Sequence, residues 1–98
     1  MEVNIQHNEA MVIAVKGRLD TVTSAQLDAA IKAETITENL VVFDFTDVEY
    51  ISSAGLRVLL GLKRTLDDEG KALEVHNINA VVREIFSVTG FINALTVK

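Results

Sequence analysis

The sequence predicts a small α/β protein, a mixed β-sheet of about four to five strands with helices packed on it. Its elements read as two strands followed by alternating helix and strand, the order of a sheet with helical crossovers. Residues 40–45 are apolar nearly throughout, as a central strand covered on both faces should be. Leu56, Leu59, Leu60, Leu62 and Leu66 repeat at helical spacing and give the firmest helix in the chain. The 98 residues contain no proline, low-complexity tract or internal repeat, so one domain is expected over 1–98.

Taken in order, Val3, Ile5 and His7 alternate with polar neighbours, and Asn8-Glu9 separates them from an apolar run at 11–15, a β-hairpin pattern. Gly17 is expected to end the second strand. Thr21 or Thr23 can cap a first helix over 23–33, with Ala25, Leu27, Ala30 and Ile31 on its inner face. After the apolar run at 40–45, residues 46–51 read as a polar loop leading to Ser52-Ser53-Ala54-Gly55 and the second helix, which ends near Gly70. Ala72, Leu73, Val75 and His76 predict another strand. Asn79 can cap a third helix over 80–88, Gly90 stands just past its end, and a last strand is expected over 94–97.

Composition removes several function classes. Apolar residues are 49% and charged residues 23% of the chain, which suits a packed core and not a disordered segment. The formal charge of −5 opposes nonspecific attraction to nucleic acid or anionic lipid. Without cysteine there is no disulfide framework or thiolate metal site, and the composition fits a reducing compartment, with the cytoplasm as the expected location. The N-terminal residues lack the pattern of a signal peptide, and no apolar run approaches the ~18 residues needed to span a bilayer.

The informative stretch runs from Asp44 to Leu56. There a buried strand hands the chain to a helix start, where free backbone N–H groups and the positive end of the helix dipole would partly compensate the charge of a phosphate. Ser52 and Ser53 are the hydroxyls at that position. Ala54 and Gly55 are expected to keep bulk away from them so that another protein can approach. The simplest role for either serine is a helix cap worth about 1 kcal/mol. A nucleophilic serine would need a base, and neither His7 nor His76 is paired with one by the sequence. Two lone histidines and scattered carboxylates give no metal-ligand spacing, and Gly55, Gly61 and Lys63-Arg64 do not form a phosphate loop. No catalytic residue, metal site or cofactor is expected, and both histidines read as structural or solvated. The acidic run Asp67-Asp68-Glu69 reads as the solvated end of the second helix.

Three segments resemble the STAS domain family, whose fold is shared by anti-sigma-factor antagonists and the cytosolic tails of sulfate-type transporters. They are Gly17-Arg18-Leu19-Asp20 with Thr23-Ser24-Ala25, the stretch from Asp44 to Leu60, and Val88-Thr89-Gly90-Phe91. Only the middle one is distinctive. In antagonists of this family the loop reads Asp-Ser-[Ser/Thr/Ala]-Gly-Leu, and alignment to Gly55 and Leu56 puts Ser53 on the serine that a kinase phosphorylates. Here Ser52 replaces the usual aspartate and is the second candidate acceptor.

The resemblance implies a non-enzymatic switch. Unphosphorylated, it would bind an anti-sigma factor that is also a serine kinase; phosphorylated, it would release it, and a PP2C-type phosphatase would restore it. Asp20 matches a family position near the switch serine, and its plain alternative is a turn or capping residue. The implied docking patch contains Asp20, Thr21, Tyr50, Ile51, Ser52, Ser53, Ala54, Gly55 and Arg57. Nothing in the chain requires more than a monomer. The rival expectation keeps the fold and drops the phosphate: a constitutive adaptor or scaffold subunit, in which both serines act only as caps.

Overall fold

A computed structural model describes the whole chain, Met1–Lys98. Strand β1 (Glu2–His7) pairs antiparallel with β2 (Met11–Leu19), and β2, β3 (Leu40–Ile51), β4 (Ala72–His76) and β5 (Thr96–Val97) follow in parallel, giving a five-stranded sheet in sequence order. Helices α1 (Thr21–Lys32), α2 (Ser53–Asp68) and α3 (Ala80–Thr89) make the crossovers, and a single turn, α4 (Phe91–Ala94), precedes β5. No helix is long and apolar enough to cross a membrane. The expected mixed α/β sheet is present with five strands.

The core lies on one face of the sheet. Met11, Ile13 and Val15 of β2, Val41, Phe43 and Phe45 of β3, and Leu73 and Val75 of β4 are buried against Leu27 and Ile31 of α1 and Leu56, Leu59, Leu62 and Leu66 of α2. Phe43 and Phe45 meet edge to face at 5.7 Å. The opposite face carries Val12, Ala14, Val42, Asp44, Glu74 and His76, of which only Val42 is buried. The apolar run at 40–45 is therefore covered on one face, not on both, and Asp44 is its polar signature.

Four boundaries differ from the sequence reading. Strand β2 does not stop at Gly17 but runs on to Leu19, through register shifts against β3, with Gly17 at φ 104° where L-residues are strained. Helix α1 starts at Thr21 with Asp20, not a threonine, as its cap, and Ala25 lies exposed while Ser24, Leu27 and Ile31 are buried. Residues 46–51 are strand, not loop. The final strand is shorter than 94–97 because residues 91–94 close a helical turn first.

Strand β3 is twice used. Residues 40–44 pair with β4, whereas its second half pairs only with β2, from Lys16↔Asp47 to Leu19↔Ile51. On the side left without a strand, Asn79 Nδ2 donates to the Val48 carbonyl at 2.9 Å while its Oδ1 accepts from Val82 N at 2.8 Å. The expected cap of α3 thus also satisfies β3, and a two-stranded tongue extends to the start of α2.

At the opposite end of the sheet His7 is pinned. Its Nε2 lies 2.8 Å from Glu34 Oε1 and its Nδ1 lies 2.8 Å from Glu38 Oε2, so with both carboxylates ionised each nitrogen has an acceptor to donate to and the imidazolium form is favoured. Bonds to Glu34, then Glu38, raise its pKa above the ordinary 6.5. For Glu38, burial works upward, but its own backbone N–H and His7 hold the carboxyl below 4.5 overall. A raised cation stabilises below its unfolded pKa, and a lowered acid stabilises above its own. The stability difference between the wild-type chain and His7→Asn is therefore expected to be greatest between about pH 4.5 and 6.5, shrinking as pH rises through the folded value of His7, in thermal melts across pH.

Candidate functional site

The tongue delivers the chain to a crowded junction. The Ser52 amide donates to the Leu19 carbonyl at 2.8 Å, which fixes the end of β3 beside the end of β2 and brings Asp20 and Thr21 next to the start of α2. Gly55 is buried there: a Cβ on it would stand 2.6 Å from Ile51 Cγ1 and 3.2 Å from Leu19 Cβ. Its smallness serves this inward packing and not access to the serines. Ala54 is half-buried.

The two serines have different positions. Ser52 is the N-cap, extended at φ −89° and ψ 174°, with its Oγ accepting from Gly55 N at 3.4 Å and its carbonyl from Leu56 N at 3.0 Å. It is half-buried. Ser53 is the first residue of the helix and its side chain is exposed. The cap of α2 is therefore Ser52, and Ser53 stands beside it without a capping bond. The long cap distance places Ser52→Ala at the low end of capping losses, about 0.5–1 kcal/mol, with Ser53→Ala within about 0.5 kcal/mol of wild type; denaturant melts of both variants check this.

Asp20 is a working cap. Its Oδ1 accepts from Thr23 N at 2.9 Å, and its own amide donates to Thr23 Oγ1 at 2.9 Å, a reciprocal capping box. The Thr23 hydroxyl in turn donates to Arg18 O at 2.6 Å. The bond from the Thr23 amide, then that from the Thr23 hydroxyl (its proton shared with the Arg18 carbonyl), the Val22 amide and the Arg18 charge hold the Asp20 carboxyl below the ordinary 3.8, and it lies exposed beside the serines.

Around this junction the residues of the expected patch differ in exposure. Thr21, Ser53 and Arg57 are exposed, and Arg57 stands one helical turn after Ser53 on the same side of α2. Ile51 is completely buried and Gly55 is buried, so neither presents a side chain to a partner. Tyr50 is half-buried, with the Arg18 guanidinium 4.6 Å from its ring centre. Two residues were not foreseen. Arg18 faces Tyr50 across the tongue through the β2–β3 register, and Val22, in the first turn of α1, is 67% exposed. Val22 had a legible signal, because it lies off the Leu27 and Ile31 face of α1 and an aliphatic side chain there has no core to join.

Neither histidine serves these hydroxyls. His7 is held by Glu34 and Glu38, and His76 Nε2 lies 2.9 Å from Glu74 Oε1 on the open sheet face. What the site can do is accept a modification on an exposed hydroxyl at a helix start and offer a small patch to a partner.

The fold finds counterparts among known proteins. The family model described as Mlab, STAS domain, matches residues 4–96. The chain belongs to the STAS domain family. It is 32% identical over 99 aligned positions to BtrV of Bordetella bronchiseptica, named an anti-sigma factor antagonist, covering 99% of this chain and 85% of that one. A crystal structure of an anti-sigma factor antagonist from Mycobacterium paratuberculosis superposes with a TM-score of 0.85 at 26% identity, over 98% of this chain and 83% of that one. Unphosphorylated SpoIIAA, an anti-sigma factor antagonist, has the same fold, with a TM-score of 0.83 at 21% identity over 99% and 88% of the two chains.

Proposed function

We propose that this chain is an anti-sigma-factor antagonist, one STAS unit over 1–98 acting in the cytoplasm as a phosphorylation-controlled interaction switch without catalytic activity of its own. The observation that carries the reading is the division of labour at the start of α2: Ser52 does the capping, and Ser53 is left exposed at the first helical position. The names borne by BtrV and by the Mycobacterium protein support the choice of partner class, an anti-sigma factor.

Unphosphorylated, the chain binds the anti-sigma factor through Ser53 and its surroundings, Asp20, Thr21, Ala54, Arg57, Tyr50 and the newly found Arg18 and Val22. The bound protein, as a serine kinase, transfers phosphate from ATP to the Ser53 hydroxyl, and a PP2C-type phosphatase removes it. Phosphate on Ser53 faces the free N–H groups of the first turn, which compensate part of its charge. Phosphate on Ser52 would have to displace the capping bond to Gly55. That difference favours Ser53 as acceptor and Ser52 as its cap.

Intact-mass and peptide mass spectrometry of the protein recovered from its native cells tests this, with Ser53→Ala and Ser52→Ala alongside. Phosphate mapped to Ser53 and abolished by Ser53→Ala alone is the expected result. Absence of phosphate under every growth condition would favour a constitutive adaptor, and phosphate on Ser52 would reassign the acceptor.

A further inference from the structure

Between α1 and α2 lies an open groove of about 410 Å³, away from the two serines along α2. Its floor is aliphatic: Ile31, Ile36, Val58 and Leu62. Along α2 it extends from Arg57 to Thr65, about 12 Å at the rise of a helix, or two turns. Gly61 stands in the middle of that wall.

Gly61 has no reason inside the chain. It sits in the interior of a 16-residue helix, where glycine is less favourable than alanine. Its backbone is not in the left-handed region, and a Cβ built on it meets nothing within 4 Å. Gly55, in the same helix, shows the contrast, since there a Cβ collides with Ile51. A residue that weakens its own helix and fills no internal need marks a place where something from outside comes close.

Charge and backbone chemistry narrow the occupant. Asp28 is paired with Lys32 at 2.8 Å and Glu34 with His7 at 2.8 Å, which leaves Arg57 as the charged group lining the groove that has no ion-pair partner. A complementary ligand therefore brings a carboxylate to the Arg57 end. The α1 and α2 walls are helices whose backbone groups are bonded internally, and in the segment between α1 and β3 that closes the groove the Ile36 carbonyl already accepts from Lys71 Nζ, so an added strand would find few main-chain partners here, whereas a helix needs none.

We infer that the groove between α1 and α2 receives an amphipathic helix of the bound partner protein, its backbone crossing close over Gly61, aliphatic side chains on Ile31, Ile36, Val58 and Leu62, and a carboxylate against Arg57. This deepens the proposed function and rests on it, because the helix is taken to belong to the anti-sigma factor.

Two measurements test it separately. Thermal melts of the free chain compare wild type with Gly61→Ala; the melting temperature is expected to rise by about 2–8 °C, and a fall would overturn the inference by showing an internal need for the glycine. Calorimetric titration with the anti-sigma factor of the same organism compares wild type, Gly61→Leu and Arg57→Glu, with sedimentation of each free chain as control. Both variants are expected to bind at least about tenfold more weakly, and charge reversal of the facing carboxylate should recover Arg57→Glu. Binding of Gly61→Leu within about twofold of wild type overturns the groove, as does a wild-type dimer that Gly61→Leu dissociates, because the occupant is then a second copy. A wild-type chain that binds no anti-sigma factor defeats the proposed function and, with it, this assignment of the helix, whatever the melts give.

Discussion

The chain phosphorylated on Ser53 is expected to bind its anti-sigma factor roughly 30- to 150-fold more weakly than the unmodified chain, with no loss of thermal stability. Phosphate adds about −1.5 to −2 charges at neutral pH, in the middle of a patch that already holds the ionised Asp20 on a chain of formal charge −5. Like-charge repulsion and desolvation in such a contact cost about 2–3 kcal/mol, and each 1.4 kcal/mol is tenfold in affinity. The fold is spared for the opposite reason. At the first position of α2 the phosphate faces the positive end of the dipole, where an anion stabilises by about 0.3–1 kcal/mol. Calorimetric titration with the two forms and a melt of each check both halves. Ser53→Ala should bind like the unmodified chain and take up no phosphate. A phosphorylated chain that binds as tightly as the unmodified one, or that melts several degrees lower, would show that the serine works through packing instead of charge.

The second large effect is expected at Gly55. Gly55→Ala should destabilise the chain by about 1–3 kcal/mol, a drop of roughly 4–20 °C in melting temperature, because the new methyl group must displace Ile51 and Leu19 in a filled junction. The intrinsic preference of helices for alanine works the other way and is too small to compensate. Side chains larger than a methyl group should cost more. The same substitution at Gly61 is expected to raise stability, so one helix carries two Gly→Ala changes of opposite sign. Melts of the two variants side by side separate local packing from helix propensity in a single experiment.

The limits of the sequence are visible in particular residues. Leu56, Leu59, Leu62 and Leu66 declared α2 because one face of that helix is buried and the other is not, so the period survives in the composition. Asn79 declared the start of α3 for a similar reason, since its side chain bonds a residue three positions on. Residues 46–51 misled because their polar side chains belong to a strand whose second half extends past β4, where exposure removes the apolar signature without removing the strand. The apolar run at 40–45 misled in the reverse direction: Val42 is buried by its neighbours on a face that carries Asp44, Glu74 and His76 and is not covered by helices.

What the sequence determined by itself is everything that depends on local spacing: the order of strands and helices, the mixed sheet, the helix start at Ser52-Ser53, and the resemblance that marked those serines. What only the tertiary structure decided depends on residues distant along the chain. Ile51 was expected at a partner's surface and lies in the core. Gly55 was expected to clear the way for a partner and instead lets Leu19, Ile51 and α2 meet. Arg18 enters the site because the register of β2 on β3 sets it over Tyr50. The pKa of His7 is raised because a hairpin end meets two glutamates from the segment between α1 and β3. Periodicity records which side of an element faces inward, but the register of one strand against another and the depth of a helix start are settled by long-range packing, and single residues carry no mark of either.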